Sequence, residues 1–354
     1  MPDSSTPQAT GSSVVTELPP VFTRHQAAVG AALRAELDGR TLPIYDSLRY
    51  YMGWADVDGM LTHSPEGKRL RPTLCLLACE AVGGNPADAL PAAVAIELVH
   101  NFSLIHDDIE DGDRTRHHRP TLWVVWGEPT ALIAGNNLLA ISDMVTQRLR
   151  DTGLNTAIEA GHILTERYLS MMEGQYLDIA YEGRTDVTVD EYLMMIERKT
   201  GALIEGAVEL GAFVGAGGSG DVVEGLRAVG DDFGRIFQIR DDVLGIWGGP
   251  ALGKPVGADI TRKKNSLPVV HVLEHARDTE QRELQRIYNG DEISARDVER
   301  VLEVMDGLGT QRWCQAQAET RWSRARKRLA TLQLSSDATR DFLDLGEYLL
   351  VREV

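Results

Sequence analysis

An all-α fold is what this 354-residue chain predicts, on two observations. From Val21 onward apolar residues recur at three-to-four spacing in one long stretch after another, and no alternating apolar-polar run flanked by hairpin turns interrupts them. Gly, Pro and Asn gather between these stretches. Helices of this kind bury an apolar stripe against one another, so a single helical bundle is the expected packing. The periodicity predicts helices near 22–38, 43–55, 68–83, 86–111, 129–151, 155–182, 188–215 and 221–247, with several more between 265 and 351. In 86–111, Val94, Ile96, Leu98, Leu104 and Ile105 lie among small residues, which describes a buried helix with an acidic end. No repeat period or internal linker divides the chain. The expected organisation is a polar leader over 1–20, MPDSSTPQATGSSVVTELPP, too poor in apolar residues to fold, followed by one domain over 21–354. Gly215–Gly220 and Gly248–Gly253 are weak boundary signals.

Composition narrows the function. With 43% hydrophobic and 25% charged residues the chain can bury a large core. A net charge of -17 and a pI near 5.0 argue against nucleic acid or anionic membranes as partners, because both reward clustered Lys and Arg. Small anions remain open if cations mediate. Three cysteines, Cys75, Cys79 and Cys314, suit a reducing compartment without disulfides, and Cys75 and Cys79, one turn apart, read as core packing. No stretch approaches the roughly 18 apolar residues that a membrane span requires, and the N-terminus lacks the basic start and apolar core of a signal peptide. A cytoplasmic location is expected.

Chemistry is concentrated in SLIHDDIEDGDRTRHHRPT, residues 103–121, with five acidic side chains between Asp107 and Asp113. On a helix Asp107 and Asp111 lie about 40° apart, with Asp108 about 100° from Asp107, so three carboxylates converge near one end. A helix C-terminus is itself partly negative, which disfavours unpaired Asp there unless a cation binds. Taken alone, the run is either a solvated face or a cation site. A second cluster follows in FQIRDDVLGIWGG, 237–249, which sets Gln238, Asp241 and Asp242 at i, i+3 and i+4. Oxygen-only ligands select hard ions, and Mg²⁺ uses one or two carboxylates while sharing phosphate oxygens, so the pattern implies a diphosphate. Lys68, Arg69 and Arg71 in GKRLRP, Arg114, Arg116 and Arg119 in RTRHHRP, Lys199-Thr200 and Lys254 supply positive charge to hold it. Two other motifs fail. GAGGSG at 215–220 follows a helix rather than a strand, and DDIEDG read as a calcium loop puts Ile109 and His118 at ligand positions.

The ordered series GKRLRP (67–72), ELVHNFSLIHDDIED (97–111), RPT (119–121), EGQYLD (173–178), KTGALI (199–204), FQIRDD (237–242), GKPVGADI (253–260) and KKNSLP (263–268) resembles the trans-type polyprenyl diphosphate synthases, over about residues 25–350. The resemblance implies an all-α isoprenoid-synthase bundle around a deep central cavity, a homodimer, and prenyl transfer from an allylic diphosphate (dimethylallyl, geranyl or farnesyl) to isopentenyl diphosphate. It also implies roles. Asp107, Asp108 and Asp111, with Asp241 and Asp242, would bind Mg²⁺, two or three ions, on the allylic diphosphate. Lys68, Arg71 and His100 would hold isopentenyl diphosphate, and Arg116, Lys199, Lys254, Thr200 and Gln238 the allylic diphosphate. Phe102, five positions before Asp107 and about 7.5 Å down the helix, would stop chain growth at a short product, geranylgeranyl diphosphate (C20) ahead of farnesyl diphosphate (C15).

Four features depart from the family pattern. Gly245 stands where a third Asp is usual, His117 where a second Arg contacts isopentenyl diphosphate, and Asn136 where an Asp is usual, while the loop GGPALGK is short. Two alternatives therefore stand beside elongation: a class I terpene cyclase or lyase acting on one prenyl diphosphate, and a non-catalytic subunit of a heteromeric synthase. The persistence of Lys68, Arg71 and His100 argues against the first, and the intact Asp107, Asp108 and Asp111 against the second.

Overall fold

The computed structural model describes residues 18–62, 67–248 and 255–352. Most of the leader, and Lys254, lie outside them. The chain opens with α1 (Val21–Arg24), α2 (Gln26–Leu37), α3 (Ile44–Tyr51), α4 (Leu70–Ala81) and α5 (Pro86–Glu110). A two-stranded hairpin, β1 (Thr115–Arg116) and β2 (Arg119–Pro120), leads to α6 (Leu122–Trp126), α7 (Glu128–Thr146) with a 3₁₀ turn over Gln147–Asp151, and α8 (Leu154–Tyr181). Then come α9 (Val189–Ile196), a π-helical turn (Glu197–Gly201), α10 (Ala202–Ala216) and α11 (Asp221–Trp247). The closing helices are α12 (Ala258–Thr261), α13 (Leu267–His275), α14 (Asp278–Asn289), α15 (Ala295–Gly307), α16 (Thr310–Leu329) and α17 (Ser336–Val351).

Local chemistry sets many of these ends. Asn85 caps α5 by accepting the Ala87 N–H at 3.2 Å, with Pro86 at the first helical position. Capping boxes start α9 (Thr188 and Glu191) and α15 (Ser294 and Asp297), and α10 closes on left-handed Gly217. The sequence reading differs from the structure in several places, among them 22–38, which is two helices, α1 and α2. The stretch 188–215 is not one helix but α9, a π turn and α10. The segment 129–151 tightens into a 3₁₀ turn at its end. A hairpin stands at 115–120, where no strand was expected, because two-residue strands are too short to alternate.

The core is built around α5 and α10. Every residue of α10 from Ala202 to Val214 is buried, including Glu205 and Glu209, whose charges are met by Arg167 and Arg227. It presses on α4 through glycine: a Cβ at Gly211 would lie 1.8 Å from the Cys75 carbonyl oxygen, and one at Gly215 2.7 Å from that of Cys79. Cys75 and Cys79 are thus buried packing residues, as their spacing suggested. Helix α5 is, against the sequence reading, long and apolar enough to cross a membrane. Here it is a core helix, packed on α4, α7 and α10. A smaller apolar cluster, including Ile246, Ile260, Val269, Leu284 and Val301, joins the end of α11 to α12–α15. These contacts hold the acidic ends of α5 and α11 inside the bundle.

Candidate active site

The last turn of α5 carries the first acidic cluster. Asp108 is buried, and its Oδ1 accepts the Arg116 Nε–H at 2.7 Å while Oδ2 has no protein partner among the described residues. Arg116 reaches it from β1 of the hairpin. Burial raises the Asp107 carboxyl to about 6, with Lys199 opposing and Asp111 reinforcing the rise. Asp111 is raised by the same burial, again against Lys199.

Lys199 and Thr200 lie on the π turn, a distortion that recurs at functional sites. The turn is clamped by α8: a Cβ at Gly174 would lie 2.1 Å from the Lys199 backbone nitrogen, so only glycine fits. One turn further along α8, Asp178 pairs with the Lys199 ammonium. Burial opposes that charge, but Asp178, Asp107 and Asp111 together hold the lysine above its ordinary range.

The second cluster divides into two roles. Asp242, expected beside the metal, is fully enclosed and committed to protein contacts. Its Oδ2 accepts the Tyr192 hydroxyl at 2.6 Å and the Leu267 N–H at 3.0 Å, and its Oδ1 accepts Gln238 Nε2–H at 2.9 Å. Burial still raises it to about 6. Gln238 in turn accepts the Thr200 hydroxyl at 2.7 Å, so Thr200, Gln238 and Asp242 form one chain from the π turn to α11. Asp241 is more open, and its carboxylate pairs with Arg352 beyond the end of α17.

Between the clusters stands Lys264. Burial works against its charge, and Asp242, Asp259 and Asp178 outweigh burial and raise it. It also acts on Asp111, so Lys199 and Lys264 link the two acidic helix ends. The sequence reading missed Lys264, Asp178, Asp259 and Arg352 as site residues. Lys264 and Asp178 stand inside the quoted segments KKNSLP and EGQYLD; Arg352 carries no sequence signal.

The residues expected for isopentenyl diphosphate gather on α4 and α5. Arg71 is buried beside Glu97; burial lowers its guanidinium to about 10, against Glu97 and Asp241. His100 is held well below its ordinary range by burial and then by Arg71 and Arg116, so it is neutral at pH 7. Lys68 lies before α4 rather than inside it and donates to the Tyr348 hydroxyl at 3.0 Å. His117 sits exposed at the hairpin tip, where it and His118 both take left-handed backbone angles (φ 49° and 62°). Desolvation against the hairpin, and then Arg116 and His118, lower its pKa, so it carries less charge than a free imidazole. Arg119 donates to the Ala55 carbonyl and stacks on Tyr50. Phe102 is buried, edge-on to His106, and its ring lies near Gly135 of α7. Asn136 is exposed on α7.

Among the described residues no three His, Cys, Asp or Glu stand close enough to form a ready-made metal cage. That suits Mg²⁺, which takes few protein carboxylates and shares substrate oxygens. The unpartnered Asp108 Oδ2 and the crowded Asp107 and Asp111 are donors of the right hardness.

The family model for polyprenyl synthetase matches residues 58–305, well over half of the chain. The chain belongs to the polyprenyl synthetase family. This synthetase is 36% identical over 321 residues to a (2E,6E)-farnesyl diphosphate synthase of Mycobacterium tuberculosis, covering 90% of this chain and 88% of that one. It is 38% identical over 288 residues to a geranylgeranyl diphosphate synthase of the same organism, covering 81% of each. Its fold is similar to the crystal structure of a polyprenyl synthetase from Streptomyces coelicolor A3(2), with a TM-score of 0.86 and 34% identity over 93% of this chain and 98% of that one. A geranylgeranyl pyrophosphate synthetase from Pyrococcus horikoshii Ot3 gives a TM-score of 0.82 at 31% identity, over 94% and 98%. The synthetase is therefore a trans-prenyltransferase of the all-α isoprenoid-synthase fold.

Proposed function

We propose that this synthetase joins isopentenyl diphosphate to an allylic diphosphate (dimethylallyl, geranyl or farnesyl) in a Mg²⁺-dependent reaction, with geranylgeranyl diphosphate (C20) as product and farnesyl diphosphate (C15) next in order. The convergence of two acidic helix ends on Lys199 and Lys264 carries this reading, because a bound diphosphate needs metal ligands and fixed cations side by side. The relatives' activities agree with it. Asp107, Asp108 and Asp111, with Asp241 from the facing helix, would hold Mg²⁺, and the bound ion would supply Lewis-acid neutralisation of diphosphate charge. Asp242 takes the part of an anchor that fixes Gln238 and Thr200.

The remaining chemistry belongs to the chain's own side chains. Lys199 and Lys264 stabilise the charge that builds on departing pyrophosphate as the C–O bond breaks. Arg71 and Lys68 hold the second diphosphate, with neutral His100 contributing a hydrogen bond rather than charge. Its double bond attacks the allylic cation, and the released pyrophosphate accepts the proton. The buried ring of Phe102 limits the growing tail. The exposed apolar faces of α7 and α8 support a homodimer, and three buried free thiols suit the cytoplasm.

The test incubates the purified protein with Mg²⁺, labelled isopentenyl diphosphate and each C5, C10 and C15 primer, and identifies the dephosphorylated products by mass. A C20 alcohol is expected. Label left wholly in isopentenyl diphosphate overturns the reading.

A further inference from the structure

Of the three residues assigned to isopentenyl diphosphate, Arg71 and His100 stand on helices, whereas Lys68 is exposed and lies on irregular backbone ahead of α4. Its neighbour Arg69 takes left-handed angles (φ 51°), so the helix begins only after a sharp change of direction. A lysine ammonium rides on a flexible four-carbon stem, and fixing it costs rotamer freedom. A substrate that had to order this side chain itself would bind more weakly for it.

Tyr348, in the last turn of α17, meets the head of that stem. The Lys68 Nζ donates to the Tyr348 hydroxyl at 3.0 Å and lies 5.7 Å from the centre of its ring, within cation–π range. Tyr348 itself is only 3% exposed, and its ring meets Phe22 of α1 edge-on, with 5.7 Å between centres. The end of α17 is in turn tied to α11. The Tyr348 carbonyl accepts the Arg352 N–H at 2.9 Å, while the Arg352 guanidinium donates to the Phe237 carbonyl at 3.1 Å and lies 4.2 Å over that residue's ring. A buried phenol braced from two sides therefore holds an exposed cation.

We propose that Tyr348 is a positioning residue for isopentenyl diphosphate: its hydroxyl and ring preset the Lys68 ammonium, so that α17, from the far end of the chain, completes the second substrate site. The proposal rests on the reading above in which Lys68 holds that diphosphate.

Steady-state kinetics on the full chain, varying each substrate in turn, tests it. Tyr348→Phe keeps the ring against Phe22 and removes only the hydroxyl. It should raise KM for isopentenyl diphosphate about fivefold or more, while KM for the allylic primer and the melting temperature hold. Lys68→Ala should raise the same KM, and adding Tyr348→Phe to it should change little further, because nothing remains to be positioned. Simple additivity of the two effects, or a rise in both KM values with a lowered melting temperature, would mark Tyr348 as packing only and overturn the proposal. An unchanged KM in Tyr348→Phe beside a raised one in Lys68→Ala sinks the proposal and leaves the substrate reading standing. An unchanged KM in both variants overturns the proposal and the role of Lys68 together. If Tyr348→Phe fails to fold, Phe22→Leu decides, since it loosens the ring without touching the hydroxyl: a raised KM for isopentenyl diphosphate alone supports the proposal, and an unchanged one overturns it.

Discussion

At the scale of single residues, the site holds carboxylates where burial penalises their charge. Asp107 keeps its proton to about pH 6 in the folded chain against 3.8 for the free side chain. A folded pKa raised in this way means that the metal-free protein loses stability as pH climbs from about 4 to 6, and the loss is complete above 6. Asp107→Asn removes that penalty. Its melting temperature in chelator should equal the wild type's near pH 4 and exceed it by roughly 2–4 °C at pH 7. Adding Mg²⁺ and pyrophosphate should reverse the order, since only the wild type gains ligand binding energy. Turnover of Asp107→Asn should fall by orders of magnitude, and near-normal kcat would contradict the metal role. Burial raises Asp242 as well, but this carboxylate is tied to the protein by three hydrogen bonds. Tyr192→Phe, which removes the 2.6 Å bond and leaves Asp242 Oδ2 with the Leu267 N–H alone, should destabilise the fold by about 1–2 kcal/mol in a denaturant titration.

Among the elements, the π turn and the hairpin do the positioning. The π turn carries Lys199 toward Asp107 and Asp111, and Gly174 of α8 allows the backbones to meet. Gly174→Ala must push the turn away by more than an ångström, so it should lower stability by about 1–3 kcal/mol and raise KM for the allylic substrate. An unchanged KM with lowered stability would separate the clamp from the site. The hairpin holds Arg116 against Asp108 and presents His117 at its tip in a backbone conformation that suits glycine best. His117→Arg should lower the apparent KM for isopentenyl diphosphate by restoring a permanent charge beside Arg116. An unchanged or higher KM would show that the neutral histidine costs the site nothing.

For the whole molecule, legibility followed distance along the chain. The acidic ends of α5 and α11 could be read because Asp107 and Asp111, or Gln238 and Asp242, are joined by helical periodicity. The all-α class followed for the same reason. The contact of Asp259 with Gly245, the pairing of Arg352 with Asp241 and the approach of Gly174 to Lys199 depend on how distant elements pack, and local patterns carry no trace of that. The π turn escaped because its residues also suit an α-helix. Packing leaves one face unfinished: α7 exposes Leu132, Ile133 and Met144, and α8, reached through the 3₁₀ turn, exposes Leu154, Ile158, Leu169 and Tyr176. Large side chains in such number on adjoining helices exceed what an isolated surface ordinarily shows. A second copy meeting the same face across a twofold axis would cover them. Sedimentation equilibrium should therefore give twice the 38.9 kDa chain mass, and Ile133→Asp with Ile158→Asp should give the single mass. Both substitutions lie on exposed positions away from Lys199 and Lys264, so the variant should keep its helical circular dichroism. A wild type that sediments at 38.9 kDa would overturn the dimer.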